Sequence, residues 1–264
     1  LKWVLVLFVV ICNFASARIL TVDNKYPFAC DYQELSGAYD AATSGDTIYV
    51  SPSARPYLFS GSIQKKIYLI GVGFDISDFI SGTPTQTASY ESIIRFSPGS
   101  EGSVIEGLDG GFIVYVEAPN ITIKHNDLKQ VNFTDQGSGS VIIGNKIIAS
   151  GVNAYSPAIS LSNAYNVLMA NNIIINPNIS SVYGNTDHGI TGGVDPLIYS
   201  NVLKADGGYC LYATEGAQVV NNIFLSKEIN SCSNCSFLYN ATSTMSLDGE
   251  GNISILDMNA VFVD

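Results

Sequence analysis

From residue 120 onward the hydrophobic and polar positions fall into a recurring phrase: an apolar residue, two others, Asn, one other, then usually a second apolar residue. It reads as Ile123/Asn126/Leu128, Ile142/Asn145/Ile147, Met169/Asn172/Ile174, Ile198/Asn201/Leu203 and Val219/Asn222/Phe224, and more weakly as Phe237/Asn240/Thr242. The Asn-to-Asn intervals are 19, 27, 29, 21 and 18 residues. A second phrase sits about eight residues upstream of each first apolar position: Ile113-Val114-Tyr115, Ile159-Ser160-Leu161, Asp187-His188-Gly189-Ile190 and Tyr209-Cys210-Leu211, with Phe133-Thr134 and Ile229 as weaker instances. Period-2 alternation, as in Ile121-Thr122-Ile123-Lys124, sends Ile inward and Thr and Lys outward.

Units this short cannot bury an apolar face alone. They must stack, each strand pairing with its counterpart above and below at about 4.8 Å. The pattern therefore predicts an all-β protein, a right-handed parallel β-helix solenoid with inward columns of Ile, Val and Leu. Asn suits a corner: it tolerates left-handed geometry, bonds to nearby main chain and can ladder with Asn of adjacent coils. The varied intervals belong to outward loops, of which 176–187 is the longest candidate.

Earlier in the chain, Leu35, Ala38, Tyr39 and Ala42 lie near helical spacing within residues 33–42. They predict a short N-terminal capping helix over the open end of the solenoid, which would otherwise expose unpaired main chain. Ser44-Gly45-Asp46-Thr47-Ile48-Tyr49-Val50 reads as a turn into a strand, and residues 66–73 as another strand. Composition marks where the cap and first coils (18–110) give way to the Asn-rich coils (111–264). No Asn occurs between Asn24 and Asn120, yet twenty occur from Asn120 to Asn259. No Pro-rich, Gly/Ser-rich or charged linker divides the two parts, so residues 18–264 are expected to form one domain.

Residues 1–17 read as a secretory signal peptide: Lys2, the apolar run from Val4 to Ile11, and the small-x-small pattern Ala15-Ser16-Ala17 before Arg18. The run is too short to span a bilayer, and Val9-Val10-Ile11-Cys12 departs from a lipid-attachment pattern at Ile11. A secreted or cell-surface protein, monomeric by default, is expected. Without that segment, 11 basic side chains face 23 acidic ones, a net charge near −12. This excludes nucleic acid as a partner and disfavours an acidic polysaccharide unless divalent cations bridge the two. Ala260-Val261-Phe262-Val263-Asp264 reads as the start of a further strand, and with no initial Met the chain is compatible with a fragment.

The order of helix, Ser44 to Val50, Tyr57, Ile67-Tyr68-Leu69-Ile70-Gly71, Val104-Ile105-Glu106-Gly107-Leu108 and the Asn repeats resembles the secreted parallel β-helix proteins of the pectate-lyase-like superfamily, the pectin lyase fold. The resemblance covers about residues 30–264. It implies the fold and a polysaccharide or glycan partner. It does not imply one activity, because the superfamily holds polysaccharide lyases, glycoside hydrolases and adhesins. A polysaccharide-binding or polysaccharide-degrading protein is the leading expectation; a non-catalytic surface adhesin or structural solenoid is the alternative.

Asn185-Thr186-Asp187-His188-Gly189-Ile190, followed by Asp206-Gly207-Gly208-Tyr209-Cys210, resembles part of the polygalacturonase pattern. Asp187 and Asp206 on neighbouring coils could serve as acid and base on a glycosidic bond, with His188, beside the longest loop, and Lys204 as further catalytic candidates. Gly207 stands where that pattern has a second Asp, and its later Gly-His-Gly and Arg-x-Lys segments are missing. Asp and Gly at a turn entering a strand account for the same residues. A lyase would need a base and a cation near a uronate carboxylate, for which Lys124, His125, Lys146, Lys204 and Arg95 are candidates. Asp187, Asp195 and Asp206 are candidate ligands for calcium, a hard cation that collects carboxylate oxygens.

Four cysteines follow the signal segment: Cys30, Cys210, Cys232 and Cys235. In an oxidising compartment disulfides are the default, although Cys210 also suits a buried strand thiol and the pairing is open. Tyr155, Tyr165, Tyr183, Tyr199, Tyr209 and Tyr212 could form a sugar-stacking surface, with Tyr209 equally readable as core filler in register with Leu211. Glycosylation sequons stand at Asn120, Asn132, Asn178, Asn234, Asn240 and Asn252.

Overall fold

A computed structural model describes residues 17–26, 28–53, 55–59, 61–73, 93–149, 156–177, 189–212, 214–228, 232–243 and 247–254. The chain winds as a parallel β-helix whose coils have three faces. The first face is a ten-stranded parallel sheet in strict chain order, from Ile19–Val22 and Thr47–Val50 to Gln218–Val220 and Ser236–Leu238. The second face holds Lys146–Ile148, Ile173–Asn176, the start of Val202–Tyr209, Ile223–Glu228 and Ala241–Thr242. The third holds Ser62–Ile63, Ile93–Phe96, Phe112–Val116, Ile159–Tyr165, Ile190–Val194 and Leu211–Tyr212. Asp127–Phe133 spans the corner between the last two, pairing Asp127 with Lys146 and Val131 with Ile159.

The alternation predicted for the strands sets the core. Leu20, Ile48, Leu69, Ile105, Ile123, Ile142, Met169, Ile198, Val219 and Phe237 stack in one register column. All but Phe237 are buried. The predicted cap is a helix over Leu35–Ala41 that buries Leu35 and Ala38 and has no side-chain N-cap bond. So short a helix is held by the surface it buries, since isolated helices of this length do not persist in water.

The Asn repeat forms a hydrogen-bonded ladder inside the corner between the first and second faces. Oδ1 of Asn145 accepts the main-chain N–H (3.0 Å) and the side-chain Nδ2–H (3.1 Å) of Asn126. The same double bond links Asn145 to Asn172, then Asn201, Asn222, Asn240 and Asn252 in turn. Remaining Nδ2 hydrogens go to carbonyls of the first face, as from Asn145 to Ile123 and Ile143. Asn252, only 12 residues beyond Asn240, extends the ladder past the repeat visible in the sequence.

One expectation about these corners is corrected: the ladder Asn is not the left-handed residue. The position before it is, with φ of 54° at His125, 56° at Asn171, 53° at Ser200, 58° at Asn221 and 56° at Tyr239, and glycine at Gly144 and Gly251. The left-handed residue makes the bend, and the bend turns the following Asn inward. A second left-handed column, Asn120, Gly139, Asn166, Asp195, Gly216 and Asn234, marks the corner between the third and first faces.

Of the four cysteines, Cys232 and Cys235 form a disulfide, while Cys30 and Cys210 are thiols. Cys30 lies in the cap and Cys210 several coils away in the core. Bridging them would need their Cα atoms within about 7 Å. Cys210 is the buried strand thiol that the sequence allowed, donating to the Leu203 carbonyl at 3.3 Å.

Candidate functional site

The three faces present different chemistry to solvent. On the later coils the outward positions of the first face include Val141, Ile143, Leu168, Leu197 and Val220, and those of the second include Ile148, Ile173, Ile175, Val202 and Ile223. Aliphatic surfaces of this kind offer no hydrogen bonds to a hydrophilic ligand. The third face is built otherwise. Its inward positions are Val114, Val131, Ile159, Ile190 and Leu211. The next position outward runs in unbroken register as Ser62, Arg95, Tyr115, Asn132, Ser160, Thr191 and Tyr212. None of these seven is buried, and at the coil spacing they line a path of roughly 29 Å.

Contacts across coils hold the N-terminal half of this column in place. The Arg95 guanidinium lies over the Tyr115 ring, 4.3 Å from its centroid, and pairs with Glu117. Glu117 Oε2 accepts the Ser97 hydroxyl at 3.1 Å, and the Ser97 and Ser62 hydroxyls bond at 2.8 Å. Tyr212 ends the column at the other extreme, its ring stacked on Tyr209 at 5.6 Å and 12°. Beyond Ser62, the Tyr39 hydroxyl caps the free strand edge, donating to the Ser62 carbonyl (3.3 Å) and accepting from Gln64 N–H (2.8 Å). A cavity of about 610 Å³ opens there, lined by Glu34 and Asp40 of the cap and by Arg55, Leu58, Phe59 and Gly61.

The basic residues proposed for lyase chemistry are largely neutralised by carboxylates of the preceding or neighbouring coil. Lys124 and His125 both meet Glu106 (2.8 and 3.3 Å), Lys146 meets Asp127 (2.8 Å), and Arg95 meets Glu117. Lys204 lies half-buried in the strand Val202–Tyr209 of the second face. Asp187 and His188, together with Tyr155, Tyr183 and Asn178, lie outside the described residues. Asp206 belongs to that same strand, where the register shifts between Ala205 and Tyr209, rather than to a turn before it. The described residues flanking both segments meet: Gly189 N–H donates to the Tyr209 carbonyl at 2.9 Å. Asp195 is an exposed left-handed residue (φ 49°) at the corner between the third and first faces. The structure thus sets Asp195 and Asp206 at different corners of the coil. No group of three or more potential metal-ligating side chains occurs among the described residues.

No protein family and no curated protein matches the chain in sequence. Among solved structures, it is similar to a GH136 lacto-N-biosidase from Eubacterium ramulus, with 11% identity and a TM-score of 0.42 over 85% of this chain. It is also similar to a tailspike protein of Acinetobacter baumannii bacteriophage Fri1, a capsular polysaccharide depolymerase, with 7% identity and a TM-score of 0.43 over 90% of this chain. The chain spans about half the length of each, 56% and 55%.

Sequence reasoning named Arg95 and Tyr212 but missed the column that joins them. Tyr115 and Ser160 stood in the second phrase of the repeat with no face assigned to them. Unequal loop lengths hid their mutual register, because alternation fixes a side chain's face and not its neighbour in the next coil. Tyr209 is corrected from core filler to surface: it is half-exposed, whereas Cys210 and Leu211 after it are both buried.

Proposed function

We propose that this chain binds a neutral glycan along its third face, and that it is an exported member of the pectate-lyase-like superfamily. The carrying observation is the unbroken column from Ser62 to Tyr212, in hydroxyl, amide and aromatic groups, on a solenoid whose other faces are largely aliphatic on the later coils. Sugars present both hydroxyls and apolar C–H faces, so they match alternating polar groups and rings. The Arg95–Glu117 pair leaves no excess positive charge there, which fits an acidic protein with a neutral ligand. The cavity beyond Ser62 closes the path at the cap.

In gels containing neutral plant and bacterial polysaccharides, wild-type protein is expected to be retarded by at least one polymer, and a Tyr115→Ala/Tyr212→Ala double variant not. Equal mobility of wild type with and without every polymer would end the reading.

A second reading adds cleavage by Asp187 and Asp206, with His188 and Lys204, either as hydrolase or as lyase, with calcium as a cofactor that Asp187 and Asp206 would hold without Asp195, which stands at another corner of the coil. It is favoured by one contact, the hydrogen bond from Gly189, the residue after His188 in the chain, to Tyr209 of the strand that carries Asp206. It predicts new reducing ends or unsaturated products from the bound polymer, lost in Asp187→Asn and Asp206→Asn variants. Absence of both products with and without calcium would leave a non-catalytic binding protein.

A further inference from the structure

The first described strand is joined to an ion cluster that the strand pattern does not require. Asp46 lies in the turn before Thr47–Val50, and its carboxylate is almost wholly buried, 1% exposed. Arg18 supplies it with three donors: the main-chain N at 2.8 Å to Oδ1, Nε at 3.1 Å and Nη2 at 2.7 Å to Oδ2. Thr43 adds its N–H at 2.8 Å and its hydroxyl at 3.0 Å. Nη2 of Arg18 also donates to the carbonyl of Ala41, the last residue of the capping helix, at 2.9 Å. The first strand begins at the next residue, Ile19, and Thr47 N–H donates to the Arg18 carbonyl at 2.8 Å. Arg18 therefore ties together the first strand, the second strand and the cap.

The same residue stands immediately after Ala15-Ser16-Ala17, the small-x-small pattern of the export signal. We infer that hydrolysis of the Ala17–Arg18 peptide bond creates a mature N-terminus that docks on the buried Asp46 carboxylate and locks the cap. The inference rests on the export reading. In that step a membrane-associated signal endopeptidase adds one water across the bond. Ala17 leaves as a carboxylate, and the Arg18 nitrogen, an amide N–H before cleavage, becomes a protonated α-ammonium. That nitrogen already lies at hydrogen-bond distance from Oδ1, so cleavage turns an amide donor facing an ionised carboxylate into a cationic one, and the hydrogen bond into an ion pair, without moving the chain. The added charge brings Coulomb attraction to the bond, and burial of the acceptor limits screening by salt.

Processing thus has a structural effect besides removal of the leader: the cap over the first coil tightens only on the cleaved chain.

The test compares three forms of the chain through residue 264: one released from a fusion so that it begins with a free Arg18, one that retains Ser16 and Ala17, and the Arg18 form acetylated at its α-amino group. Each is prepared with Asp46 and as Asp46→Asn. The free-Arg18 form is expected to melt about 2–4 °C above both others, with the difference absent in the Asp46→Asn set. Equal melting temperatures of the three Asp46 forms would overturn the inference, as would a difference that persists without the carboxylate. If Asp46→Asn does not fold, acetylation decides, because it removes the charge and leaves every side chain intact. The mass of the protein exported by a secreting host is read separately. A start at Arg18 supports the inference; a start at any other residue overturns it, whatever the melting comparison gives, whereas failure of the host to export the chain removes the export reading on which it rests.

Discussion

Asn172 shows what one ladder residue does. Its Oδ1 accepts from the main chain and side chain of Asn145, and its Nδ2 donates to the Ile142 carbonyl and to Asn201 Oδ1, all with the side chain buried. Alanine would strand at least one buried N–H and one buried carbonyl, each costing about 1–3 kcal/mol. Asn172→Ala is expected to lose about 2–6 kcal/mol in urea unfolding, on that sum of unsatisfied groups. A loss under 1 kcal/mol would mean that ladder bonds are exchanged freely for water. Asp46 acts at the same scale through pH. Burial alone would raise its pKa, but hydrogen bonds from the Arg18 guanidinium, then from the Thr43 and Arg18 main chain, hold the carboxyl well below the usual carboxylate range. A depressed carboxylate stabilises the fold fully above its unfolded pKa of about 3.9, and that stability is lost as pH falls through the folded value. Wild type is expected to lose melting temperature more steeply than Asp46→Asn as pH drops from about 4 toward 2. Parallel profiles would show that the cluster is not coupled to folding.

At the scale of the coil, the corners divide labour between adjacent positions: one residue takes the left-handed bend and the next joins the ladder. Ser200, with φ 53°, is a non-glycine bend residue on the surface. Ser200→Gly is expected to be neutral or slightly stabilising, and Ser200→Val to cost about 1–2 kcal/mol, the penalty of a branched side chain in left-handed geometry. Equal stability of the two would contradict the assignment of the bend. Asn126, Asn145, Asn172, Asn201, Asn222 and Asn240 were legible in the sequence because the ladder needs one residue type at one place. The bend residue was not, because Gly, Asn, Ser, His and Tyr all occupy it. Leu35 and Ala38 likewise announced the cap through spacing, whereas nothing in the spacing of Cys30, Cys210, Cys232 and Cys235 distinguished thiols from the single disulfide. The Cys232–Cys235 bridge closes one corner of a late coil. In a quasi-one-dimensional stack its influence is local. Reduction is expected to lower amide-exchange protection in Ser236–Leu238 and Ala241–Thr242 while leaving Val141–Ile143 unchanged.

Across the whole molecule, the faces decide function. Stacking places identical positions of successive coils in lines, so a preference repeated at one position becomes a surface with a single chemistry. On the first and second faces of the later coils that line is largely aliphatic; on the third it runs from Ser62 to Tyr212 in groups suited to sugars. Charge pointed away from nucleic acid and from an acidic polysaccharide without bridging cations, and the resemblance to β-helix proteins pointed toward a glycan. Which residues would face such a ligand could be read only once Tyr115, Asn132, Ser160 and Thr191 were known to share a register, because the loops between them differ in length. The most direct measurement is the affinity of wild type and two surface variants for arrayed neutral oligosaccharides. One variant changes the third face, Tyr115→Ala with Tyr212→Ala; the other changes the first, Leu168→Ser with Leu197→Ser. The third-face variant is expected to lose about tenfold or more per tyrosine for every glycan that wild type binds, as truncated aromatic anchors do, while the first-face variant matches wild type. Loss of binding in the first-face variant with binding intact in the third-face one would contradict the account.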